Sequence, residues 1–315
     1  MDMDTPWAIV VAVFASGVYL LGIATFKAAA DRMEPLHGTR PLRLAAAMIT
    51  SRTWCGGAVL AGVGLALQWV ALSCLPLPAA QPAFVSGLTV LLLVATTRFG
   101  ERLSLREWAC VALAGTAALM IALSCAGFGP AAGLPSPAQL GALALPSLVL
   151  SLALFSACEI SPGGTHARPP TGIAYGVSAG ILIGTAELAL EGITLLRPTD
   201  PPPVATPYPY LLVIAGGLGI AQLQIALQRC RLVMIGIIAT VAAKTHLLVV
   251  SIVLYGYGWP RQPSLGFLVT GLALSAVALA ALPHHDSPGR SGRLHGHGPG
   301  AALAQRALPG AGETR

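Results

Sequence analysis

Nine stretches of the chain are almost wholly apolar, at about residues 7–29, 54–75, 79–97, 107–126, 139–158, 171–196, 208–228, 232–255 and 264–282, and polar residues gather between them. Each is close to the roughly 20 residues a helix needs to cross a hydrocarbon core. In lipid a single run of this length satisfies its backbone hydrogen bonds only as a helix. The pattern predicts an all-α integral membrane protein with about nine transmembrane helices. The first run resembles a signal peptide in position, but Met-Asp-Met-Asp supplies no basic leader and the run is too long for an h-region, so it is read as a helix. Beyond residue 283 apolar content falls and Gly, Pro, Arg and His take over, which predicts a disordered tail over 284–315. Its four histidines, including His295 and His297, are read as solvated rather than as metal ligands.

Composition agrees with the pattern. A mean hydropathy of +0.75 with 55% hydrophobic and 10% charged residues over 315 positions excludes a soluble domain. The net charge of +6 does not imply nucleic acid, because the basic residues sit in short loops where they orient the chain. With nine spans, all but three of the 18 basic residues fall on one side; the exceptions are Arg197, Arg261 and Lys244. The positive-inside rule then predicts a multi-pass protein of the cytoplasmic membrane, N-terminus outside and C-terminus cytoplasmic. The loop from Ala30 to Arg52 carries the densest positive charge and is read as an orientation anchor, with Lys27 snorkelling to the surface beside it. Ser104 and Glu107 have the spacing of a capping box. Six cysteines show no CxxC and no histidines at ligand spacing, so no metal or other cofactor is expected, although Cys74 and Cys125 share the outer side.

Candidate chemistry centres on Lys244, which lies roughly 20 Å along its run from Arg231 and hence near mid-membrane. A central lysine costs about 2.5 to 3.5 kcal/mol and ordinarily faces a bundle interior with a partner. The chain has no Asn and two Lys against sixteen Arg, the bias of a GC-rich bacterial genome. A lysine where arginine is the habit points to a compact, deprotonable ammonium. Glu187 and His246 both lie roughly 23 Å along their runs, close to the depth of Lys244. Glu187 and Lys244 are therefore expected to face each other. Glu191, four residues on from Glu187 and on the same face, lies nearer the outer interface, as a solvated rim residue or a gate. Gln68 sits deep in the second run, and Gln224, with Gln222 and Gln228, in the seventh, where amides serve as interhelical contacts or ligand contacts.

The stretch from Trp54 to Leu123, with Gln68, Ala71-Leu72, Gln81-Pro82, Gly100-Glu101-Arg102-Leu103-Ser104 and Trp108, resembles the conserved half of the EamA-like drug/metabolite transporter superfamily. The nine-helix layout resembles its magnesium-transporter branch of the NIPA type. The second half echoes the first, with Ala71-Leu72 on Ala226-Leu227, Gly115 on Gly271, and Gly17 and Gly22 like Gly180 and Gly184. Two four-helix halves running in opposite senses, 1–126 and 171–283, joined by a linker helix within 127–170, form the inverted repeat from which many transporters build alternating access. The chain departs from the family where Ile237-Ile238-Ala239 replaces an expected proline, and where Tyr255-Gly-Tyr-Gly-Trp259 lacks an acidic turn.

These observations predict a secondary transporter of a small polar or anionic metabolite, with Lys244 contacting the anion and Glu187 or His246 taking up protons. The partners are the lipid bilayer and a small-molecule or ion substrate, without nucleic acid, and a homodimer is among the arrangements such a bundle allows. A Mg2+ transporter of the NIPA type is the alternative from resemblance, which a central cation opposes; a non-transporting scaffold is the third. An enzyme is not expected, because every Asp lies outside the runs and no nucleophile constellation is present.

Overall fold

The computed structural model describes residues 5–36, 40–75, 80, 83, 86–124, 131–160, 169–196 and 201–281. Gln81-Pro82, Cys125, Arg197, Asp200 and the histidine-bearing tail lie outside the described residues. Among the described residues the regular structure is helical, in ten α-helices and one short 3-10 turn. These are α1 (Thr5–Ala30), α2 (Pro41–Thr50), α3 (Arg52–Leu72), α4 (Leu88–Thr97), α5 (Leu105–Ser124), α6 (Pro137–Ile160), α7 (Pro169–Thr194), α8 (Tyr208–Arg229), α9 (Leu232–Leu254) and α10 (Ser264–Ala281). Seven of them, α1, α3, α6, α7, α8, α9 and α10, are long and apolar enough to cross a membrane. Each of the nine apolar runs carries a helix, the third being described only as the ten residues of α4.

Burial separates a core from a lipid-facing shell. In the membrane windows, 72% of α7 and 61% of α9 lie inside the bundle, against 22% for α6 and α10. α9 is flanked by α7, α4 and α8, and its residues from Leu232 to Ala239 are all buried. Small residues set these approaches, since apolar lipid gives helices no hydrophobic reason to associate. A Cβ on Gly22 of α1 would stand 2.8 Å from the Ala61 nitrogen of α3, and one on Gly180 of α7 would stand 2.5 Å from the Ala239 oxygen of α9. Gly271 of α10 is equally tight against Ala117 and Ile121 of α5, whereas Gly115 has open space, so the match of Gly115 with Gly271 does not extend to packing.

Two local expectations are revised and a third is met. The loop from Ala30 to Arg52 contains α2, which Ser51 alone separates from α3. Ser51 caps α3 by accepting from the Trp54 backbone N–H at 3.3 Å. Lys27 does not snorkel freely. Its Nζ donates to the Leu227 and Cys230 carbonyls at 2.8 and 3.2 Å and pairs with Asp31 at 2.7 Å, satisfying the end of α8. The capping box at α5 is present, with Glu107 Oε2 accepting from the Ser104 N–H at 2.6 Å and Ser104 Oγ accepting from the Glu107 N–H at 3.3 Å. Glu107 has a second role the spacing did not indicate, since its Oε1 accepts from Arg231 Nη1 at 2.5 Å.

The junction of α8 and α9 is only Cys230 and Arg231, and it is held from both sides. Glu101 accepts from the Leu232 and Val233 N–H groups at 2.7 and 3.1 Å, so a carboxylate sits on the positive end of α9 while the Lys27 ammonium sits on the negative end of α8. Both charges oppose the local helix dipole, which is the stabilising sense.

Candidate functional site

The close approach of α7 and α9 creates the site. Gly180 and Gly184 lie one turn apart on α7 and let the Ala239 and Ala243 backbone of α9 come within what would be Cβ distance. One turn further along, Glu187 of α7 meets Lys244 of α9. The Lys244 Nζ donates to Oε1 at 2.7 Å and to Oε2 at 2.6 Å, as the shared depth along the two runs predicts. Glu187 is buried and the Lys244 side chain is 13% exposed, so the pair is shielded from bulk water. Removing one partner of such a pair costs about 3 to 5 kcal/mol, because the other is left uncompensated.

The pair forms part of the wall of a cavity of about 40 Å³ between α1, α3, α7, α8 and α9. Ser16, Tyr19, Gln68 and Thr240 supply its other polar groups, and the remaining wall is apolar, including Leu20, Ile23, Ile183 and Leu223. At about 10 to 15 Å³ for each water-sized occupant, this space admits a few small polar groups. Gln68 is 5% exposed, and its Nε2 has no hydrogen-bond partner among the described residues. A buried amide donor left this way costs about 1 to 3 kcal/mol, which a polar occupant of the cavity would recover. A separate apolar crevice of about 330 Å³ between α1, α3, α7 and α8 shares Tyr19, Ile183 and Glu187 with this cavity, so the carboxylate borders both.

The other sequence candidates lie elsewhere. His246 has the depth of Lys244 but not its direction: its Nε2 is 3.2 Å from Thr185 Oγ1, which is 2.9 Å from Ser147 Oγ of α6. This polar chain ties α9, α7 and α6 together on the side of α7 turned from the cavity. Gln224 is fully buried outside the cavity, its Nε2 donating to the Phe26 carbonyl of α1 at 3.3 Å. Gln228 grips the chain after α1, accepting from the Leu36 N–H at 2.7 Å and donating to the Glu34 carbonyl at 2.9 Å.

Glu191 is not a solvated rim residue. It is 2% exposed, and its Oε1 accepts from the Tyr257 hydroxyl at 2.6 Å. The neighbouring Tyr255 hydroxyl donates to the Leu188 carbonyl at 2.5 Å. Both tyrosines reach α7 because Gly256 between them adopts φ +62°, a left-handed conformation costly for other residues. This latch closes one end of α7 and α9, and the Lys27, Glu101 and Arg231 contacts hold the α8–α9 junction at the other end of α9. Tyr19, Thr240 and Tyr257 were missed in the sequence; a tyrosine midway along the first apolar run was the one available signal.

The chain was compared with protein-family models, curated proteins and solved structures. It matches none of them.

Proposed function

We propose that the chain is a secondary transporter that moves a small polar or anionic metabolite across the cytoplasmic membrane by alternating access. The observation that carries this reading is the buried Glu187–Lys244 pair on the wall of a cavity between the helices that also holds the Gln68 Nε2, which has no partner among the described residues. Ionisable residues within spans mark substrate and proton paths. An incoming anion would compete with Glu187 for the ammonium, and Gln68 would donate to the same ligand. Protonation of Glu187 would release Lys244 in the same way, which couples substrate to protons.

The proposal includes nine spans in two inverted halves of the drug/metabolite transporter type. The helix contacts support it. α1 packs on α3 as α7 packs on α8, and α1 touches α4 as α7 touches α9. α4 meets α9, α5 meets α10, α1 meets α8 and α3 meets α7. Exchanging α1, α3, α4 and α5 for α7, α8, α9 and α10 maps this pattern onto itself, as an inverted repeat requires. The tyrosine latch and the α8–α9 clamp are then gates at opposite ends. A Mg2+ transporter has less support, because among the described residues Glu187 is the one carboxylate lining the cavity and it is bound to an ammonium, whereas Mg2+ takes octahedral oxygen ligation.

Uptake by purified protein in proteoliposomes tests the reading, with labelled small carboxylates, amino acids and Mg2+ offered in turn. An anionic or zwitterionic solute is expected to accumulate. Gln68→Leu, which removes the unpaired donor, is expected to leave the fold as stable or more stable while lowering uptake at least about tenfold. Accumulation of Mg2+ alone would overturn the proposal in favour of a cation transporter. Undiminished uptake by Gln68→Leu would remove that residue from the site.

Orientation is tested separately with single cysteines in a cysteine-free background. An impermeant maleimide applied to intact cells is expected to label positions 134 and 200 and to spare 43 and 102. The reverse pattern would invert the assignment of both gates.

A further inference from the structure

α2 has two apolar faces, and the fold uses only one. Leu44 and Met48 are buried, in the same hydrophobic cluster as Phe26, Ala30 and Leu36. Leu42, Ala45, Ala46 and Ile49, at positions i, i+3, i+4 and i+7, form a second stripe that is exposed, Leu42 at 85% and Ile49 at 69%. Ten residues span roughly 15 Å as a helix, too short to cross a bilayer. Ser51 at φ −83° and ψ 111° breaks the chain between α2 and the membrane-crossing α3, so α2 does not continue α3.

On the side of α2 turned away from the stripe, a cavity of about 520 Å³ lies between α2 and the segment that Gln228 holds after α1. Arg40 and Arg43 line it from α2, Glu34 and Pro35 from the opposite wall, and Leu36 and Leu44 form apolar floor. Among the described residues its lining has one carboxylate against two guanidiniums, and Arg52 follows at the start of α3. Guanidinium groups match phosphate oxygens bidentately. An apolar stripe on one side of a short helix, with arginines and a cationic cavity on the other, has the chemistry of a helix lying in a membrane interface.

We propose that α2 is an in-plane interfacial helix that seats an anionic phospholipid. Leu42, Ala45, Ala46 and Ile49 enter the acyl boundary, and Arg40 and Arg43 hold the headgroup phosphate in the cavity. Charge complementarity selects anionic over zwitterionic lipid. The inference depends on the chain lying in a membrane and not on what it transports.

The test uses the full chain purified in detergent and offered equal amounts of phosphatidylglycerol and phosphatidylcholine, with retained lipid counted by mass spectrometry of the intact protein. Two arginines at a surface predict a preference for phosphatidylglycerol of about thirtyfold. That preference is expected to vanish in R40Q/R43Q, to persist in R40K/R43K, and to be unchanged in R98Q as a control for general charge. L42S/I49S is expected to lower retention of both lipids. Equal retention by R40Q/R43Q and the parent overturns the proposal. So does displacement of the lipid by inorganic phosphate with L42S/I49S unaffected, which identifies a free-anion site. A parent that is dimeric and becomes monomeric in I49D, with lipid retention unchanged, identifies a second copy on the stripe and also overturns it. If R40Q/R43Q does not fold, the parent alone decides, because phosphatidylglycerol retention that does not fall between about 0.05 and about 0.5 M salt contradicts an electrostatic seat.

Discussion

Changing Lys244 to Met together with Glu187 to Leu is expected to give a folded protein that no longer transports. Either change alone is expected to destabilise by about 3 to 5 kcal/mol, since each leaves one buried charge without the partner now 2.6 Å away. The double change removes both desolvation costs and restores apolar packing, so most of the lost stability should return. If the pair were only a strut setting the register of α7 on α9, uptake would return along with stability. If it is the element that substrate and protons compete for, stability returns and uptake does not. Thermal unfolding in detergent and uptake in proteoliposomes, measured on the four variants of the cycle, separate the two readings. Normal uptake kinetics with an unaltered pH profile in folded Lys244→Ala would end the transport role of the pair.

Gly184→Val is expected to be among the most damaging single changes in the membrane region, and Gly62→Ala among the least. A Cβ at Gly184 would lie 2.6 Å from the Ala243 carbonyl oxygen, which is helix backbone and cannot turn aside. Overpacking of this kind costs about 1 to 3 kcal/mol even for a methyl, and a branched side chain would also separate α7 from α9 at the turn preceding the ion pair. Loss of uptake is expected together with a lowered unfolding temperature. At Gly62 of α3 no atom lies within 4 Å of the added Cβ, and alanine is the better helix former, by about 0.8 to 1 kcal/mol in water. Equal unfolding temperatures for the two variants would contradict the close crossing.

The contrast between Lys244 and His246 shows how far the sequence could be read. Distance along an apolar run is an axial coordinate, and it placed Glu187 and Lys244 at one level because a helix has a fixed rise. The azimuth is not fixed by counting from a run's end. Two residues correspond to about 200° around a helix, so His246 turns to Thr185 while Lys244 turns to Glu187. Glu191 shows a different limit. Its contact with Tyr257 joins residues far apart in sequence through the turn at Gly256, and nothing near Glu191 signals it. The i, i+3, i+4, i+7 spacing of α2 was present in the chain, but two of its four positions are alanine and arginines interrupt the run, so positive charge dominated the reading.

The junction of α8 and α9 makes one kind of motion easier than others. Cys230 and Arg231 are too short a link for α9 to slide along α8, and Lys27 and Glu101 hold the two helix ends in place. With that end fixed, α9 would act as a lever pivoting at Arg231 once the tyrosine latch opens. Lys244 lies roughly 20 Å out along it, so a tilt of about 10° would sweep the ammonium by about 3.5 Å, more than the length of its bond to Glu187. Small rotations at the clamp would therefore be amplified into making or breaking of the ion pair, and the turn that carries Tyr257, beyond the end of α9, would travel more than Lys244 does.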